Sequence, residues 1–133
     1  MKFRALVLLL VSLWIPFTMA ADDKKEEYVG YIELKPFTAN FGNSQELHFV
    51  KCEITIQVGS TETEIWIGNH KDAIRNDILF LLMEQSVESM MDPVAQRILS
   101  KKAILLVKQR LVDEEGDVDI LISDLFFVSF VAQ

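Results

Sequence analysis

The sequence predicts a single α+β domain: a three-stranded, mostly antiparallel sheet with two helices, in the order β-β-α-α-β. Three observations carry this. Val50, Cys52, Ile54, Ile56 and Val58 alternate with Lys51, Glu53, Thr55 and Gln57, the period of a strand with one face on a core. Two stretches, from Lys71 and from Asp92, carry apolar residues at helical spacing. Val118 to Gln133 is mostly apolar and rich in β-branched and aromatic residues, which reads as a buried closing strand.

Tyr28 to Leu34 is the first strand, ended by Pro36, and Phe37 to Phe41 continues extended. Gly42-Asn43-Ser44 is a turn, so this segment and the strand Val50–Val58 form an antiparallel hairpin. Thr61 with Glu64 has the spacing of a capping box. The first helical turns lack a good apolar stripe and bend or break near Gly68. From Lys71 the helix is clear, with Ile74, Ile78, Leu81 and Leu82 on one face. Asp92-Pro93 restarts the chain as cap and first helical residue. Val94, Ile98, Leu105 and Val112 recur at helical spacing, with Leu99, Ala103 and Leu106 beside them. Lys101, Lys102, Lys108 and Arg110 load the second half, where cations suit the helix dipole. Asp113 to Asp117 is a turn into the last strand. That strand is apolar on both faces at Leu125 to Val128. It reads as a central strand covered on both sides, or as one whose second face meets another subunit.

Residues 1–21 read as a signal peptide or a short membrane anchor. Lys2 and Arg4 precede an apolar stretch, Pro16 interrupts it, and Thr18 and Ala20 suit cleavage before Ala21. Ala5 to Ala21 is near the lower limit for a spanning helix, so both readings stand. In either case the body, residues 28–133, is exported across the inner membrane, behind a charged linker at 22–27. Loss of Lys2 and Arg4, with no acid before Asp22, takes the formal charge from −7 to −9. So acidic a body does not suit phosphate backbones or anionic lipid.

Catalytic chemistry is not in evidence. The expectation is a non-enzyme with no catalytic, cofactor-binding or metal-ligating residues. His48 and His70 lack metal-site spacing, and the acids from Asp113 to Asp119 lack the calcium-loop pattern. There is no nucleophile elbow and no phosphate-cradling glycine loop; Ser60, Ser86 and Ser89 have no evident base. Cys52, alone and in a period-two pattern, reads as a buried thiol, with intermolecular pairing as the alternative.

Three segments together resemble the FliL family of flagellar basal-body-associated proteins. They are Tyr31 to Asn40 with its Pro36-Phe37, the helix Ala73 to Leu82 followed by Ser86 to Met90, and the terminal strand ending Phe130-Val131-Ala132-Gln133. The resemblance spans the body, 28–133. It implies a periplasmic domain similar to the stomatin/prohibitin type, forming homo-oligomeric rings near the stator units and supporting torque, swimming or swarming. The family's usual cytoplasmic tail, spanning helix and linker are shortened here, to four residues, Ala5–Ala21 and Asp22–Glu27. The alternative from a different class is a free periplasmic module that binds a lipid or small apolar ligand between sheet and helices.

Overall fold

The computed structural model describes residues 27–43 and 45–133. The leader, 1–21, and the linker up to Glu26 lie outside the described residues. Strands β1 (Gly30–Phe41), β2 (His48–Val58) and β3 (Ile122–Ala132) form one sheet in the order β1-β2-β3, with both pairings antiparallel. Between β2 and β3 run α1 (Thr61–Asn69), α2 (Lys71–Met83), α3 (Val87–Met91) and α4 (Ala95–Glu115). The expected α+β class and its β-β-α-α-β order hold; the first expected helical stretch is divided at His70 into α1 and α2, the second is the unbroken α4, and the short α3 lies between them.

All helices lie on one face of the sheet. Ile32, Leu34, Phe37, Ala39 and Phe41 of β1, the alternating apolar set of β2, and Leu125 of β3 point into that layer. Ile74, Ile78, Leu81 and Leu82 of α2 meet them, as the helical stripe requires. The other face of the sheet carries no helix; Tyr31, Glu33, Lys51, Glu53 and Phe126 are exposed there.

Four expectations are corrected. First, Pro36 does not end the strand. β1 runs through it with a register shift between Leu34 and Phe37. An edge strand tolerates proline, because its missing N–H is not needed by a neighbour. Arg75 of α2 secures the irregularity: its guanidinium donates to the carbonyls of Lys35 and Pro36 and lies 4.3 Å from the centroid of the Phe37 ring.

Second, the cap of α1 is one residue earlier than Thr61. Ser60 Oγ accepts from the Thr63 N–H at 3.1 Å. Ser60 is extended and so can aim its hydroxyl at the third amide, as an N-cap must. Thr63 is fully buried; it accepts from Ser60 Oγ at 2.8 Å and from the Leu121 N–H at 3.0 Å. This hydroxyl ties the start of α1 to the entrance of β3. Thr63→Val keeps the shape and leaves the Leu121 amide without its partner. The expected loss is about 1–3 kcal/mol, read as a lower urea midpoint with an unchanged m-value.

Third, α4 buries the side that carries Leu99 and Ala103, and not the recurring set of Val94, Ile98, Leu105 and Val112. The residues on the sheet and on α2 are Ala95, Leu99, Ala103, Val107 and Leu111, a single i+4 ridge. Val94, Ile98, Leu105 and Val112 face outward, with Leu105 66% exposed. Two alanines in the ridge let the backbone approach closely, which a search for large apolar residues overlooks. Pro93 sits in the turn before the helix, where Asp92 Oδ1 accepts from the Val94 N–H at 2.9 Å.

Fourth, β3 is an edge strand and β2 is the central one. Leu125 is buried and Phe127, Phe130 and Ala132 pack half-buried on the core, whereas Phe126, Val128 and Val131 are exposed. The run is apolar on both faces, but only one face is covered within the chain.

Candidate interaction surface

Residues with catalytic potential are employed structurally and do not converge. His48 Nε2 lies 3.0 Å from Glu46 Oε2, and its Nδ1 lies 3.2 Å from the Gln133 carbonyl. His70, at the α1–α2 break, has Nε2 2.7 Å from Glu115 Oε1 at the end of α4. Ser60 caps α1, and Ser86 caps α3 by accepting from the Ser89 N–H. The acids after Val112 are spread among separate partners: Asp113 accepts from Gln109, Glu114 from Arg110, and Glu115 meets His70. Among the described residues no group of three or more His, Cys, Asp or Glu could hold a metal ion.

Cys52 lies on the helix-facing side of the central strand, and burial pushes its thiol pKa up to about 12. A thiol so placed is neither a nucleophile nor accessible to a second chain. Arg110 donates to Asp77 through Nε and Nη2, both at 2.8 Å, and clamps α4 to α2. The hydrogen bonds and charge of Asp77 raise the guanidinium pKa above its ordinary value.

What the chain offers is surface. On the open sheet face Val128 is 65% exposed, beside Phe126 and Val131. Val128 is the extra residue of a register shift opposite Glu53 and Ile54, and so is thrown outward. With Glu33, Lys35, Glu53 and Thr55 it borders a shallow groove of about 310 Å³. The strand's own hydrogen-bonding edge is partly closed. The Leu125 carbonyl accepts from Ser100 Oγ of α4, and its N–H donates to Asp124 Oδ1 at 2.7 Å. A partner strand cannot use both groups of Leu125, so the side chains of this face are the more available contact. The sequence marked this strand as a possible subunit contact, but nothing local told which residues face out, because a bulge resets the alternation.

The layer between sheet and helices is filled by Ile54, Ile56, Ile78, Leu82 and Leu99, among others. A ligand there would have to displace packed side chains. Among the described residues no helix is long and apolar enough to cross a membrane.

The chain is an open-faced α+β sandwich with apolar residues on its uncovered sides, and its histidines and capping serines are committed to caps and ties. Residues 31–133, well over half of the chain, match the family described as flagellar basal body-associated protein FliL, and the chain belongs to that family. This is a structural flagellar family and not a known enzyme family. No curated protein matches the chain.

Proposed function

We propose that this protein is a non-enzymatic component of the flagellar motor. It assembles with itself beside the stator units and supports torque, swimming or swarming. In this reading residues 1–21 deliver the domain to the periplasmic side of the inner membrane, as a cleaved signal or a retained anchor. The domain takes the stomatin/prohibitin-type arrangement. Family membership supports association with the basal body. The single observation that carries self-assembly is the outer face of β3, where Phe126, Val128 and Val131 stand in water next to a covered core. Large exposed apolar groups clustered on one strand mark contact surfaces. A subunit laid against this face would cover it, as closed assemblies of identical chains do.

The test replaces all three by serine. These side chains lie outside the core, so the unfolding midpoint stays near that of the parent. The expected result is loss of the higher-order species in sedimentation of membrane or periplasmic extracts, with a smaller swimming or swarming zone in a flagellated host. Unchanged assembly and unchanged motility at equal protein level would overturn the reading.

A further inference from the structure

The outward face of α4 is a second surface, independent of β3 and of the reading above. Val94, Ile98, Lys101, Leu105, Lys108 and Val112 fall at alternating spacings of four and three residues. At 3.6 residues per turn they occupy about 80° of arc. This is the seam of a helix that packs against another helix. The core ridge from Ala95 to Leu111 lies on the opposite side, so α4 is apolar on two faces and only one is used within the chain.

The charge pattern says what fits. From Pro93 to Val112 there is no acid, in a chain whose formal charge is −7. Arg110 is engaged by Asp77 and Glu114, while Arg97, Lys101, Lys102 and Lys108 make no ion pair among the described residues. Two of these, Lys101 and Lys108, stand within the seam, between Ile98, Leu105 and Val112. A helix that lies on lipid keeps its apolar stripe unbroken and its cations at the margin. A lysine inside a packing seam instead selects a partner helix that brings an acid opposite it. Beside the seam, α2 and α4 enclose a groove of about 420 Å³ floored by Phe80, Leu81, Leu105 and Leu106. Lys102 stands on its α4 wall, and Asp77 and Glu84 on its α2 wall. It can accept one large apolar side chain from a helix lying along α4.

We propose that the outward face of α4 docks an acidic amphipathic helix of another protein. Its apolar stripe lies on Ile98, Leu105 and Val112, and its carboxylates meet Lys101 and Lys108.

The test uses the full chain and a labelled synthetic helix of three heptads, with a leucine seam interrupted and flanked by glutamates. A twin peptide carries lysines in place of the glutamates. Fluorescence anisotropy is expected to show binding of the acidic peptide only. The Lys101→Glu/Lys108→Glu chain loses roughly tenfold or more in affinity for it and gains the lysine twin. Raising salt from about 0.1 to 0.5 M weakens the parent interaction. Both lysines lie outside the core, so an unchanged unfolding midpoint separates docking from folding. Three results overturn the proposal. One is no binding of the acidic peptide, or binding indifferent to the charge reversal. Another is flotation of the full chain with phosphatidylglycerol vesicles that the reversal abolishes. The third is self-association that Leu105→Ser abolishes, which would make the occupant a second copy.

Discussion

Removal of Phe126 to Gln133 is expected to leave a chain with no cooperative unfolding transition. These residues pair with Val50 to Thr55 of the central strand. Without them β2 keeps a neighbour on one side only, and its Val50, Cys52 and Ile54 lose the cover of Ala132, Phe130 and Phe127. Phe127 and Phe130 meet edge to face, with ring centroids 5.3 Å apart, and both pack on the core. Full burial of such a ring contributes about 1.5–3 kcal/mol, and each lost strand hydrogen bond costs about 0.5–1.5 kcal/mol. Two half-buried rings and several such bonds together approach the whole stability of a small domain, about 5–15 kcal/mol.

The measurement is urea unfolding of the full chain and the truncated chain, followed by far-UV circular dichroism. A cooperative transition at the parental midpoint in the truncated chain would show that β3 is not integral to the sheet. The serine variant of Phe126, Val128 and Val131 is the control, because it alters the same strand on its uncovered side. Its stability should remain near the parent's even if its assembly fails. The contrast divides the strand into one face that holds the fold and one that stands in water.

Legibility in the sequence followed locality. β2 could be read residue by residue, because one face on a core and one in water leaves a period of two. The α2 stripe was equally plain, since Ile74, Ile78, Leu81 and Leu82 serve one core. Family membership was also legible, in three separated segments that each pattern alone would not distinguish. What could not be read depends on residues far apart in the chain. The place of β3 at the sheet edge is a matter of strand order, and no local pattern encodes it. Its two apolar faces fit a central strand as well as an edge strand with an outside contact. Arg75 gave no sign of its task, because the carbonyls it serves are those of Lys35 and Pro36. Thr63 looked like an ordinary helix residue, and its buried role comes from Leu121, 58 positions away. The candidate surface was therefore visible as excess apolarity, while its orientation was not.

Leu99→Ala and Ile98→Ala, one position apart on α4, should differ sharply. Leu99 is 2% exposed on the ridge that meets the sheet, so truncation leaves a cavity and costs about 2–5 kcal/mol. Ile98 is 45% exposed on the outward seam. Its truncation should change stability by no more than about 0.5 kcal/mol, as surface substitutions do. Periodicity of the larger apolar residues alone predicts the reverse order, with Ile98, Leu105 and Val112 in the core. The pair therefore tests which of two apolar faces the fold uses. Equal urea midpoints, or a larger loss at Ile98, would mean that α4 is rotated by about half a turn. That outcome would bury Lys101 and Lys108 against the sheet, where their charges would have no partner. The expected order leaves Lys101 exposed and Lys108 half-buried outside the core, and it leaves Ile98 as an apolar group whose removal costs the fold little. An apolar seam that stands in water while the core lies on the opposite side of the helix has the character of a contact surface.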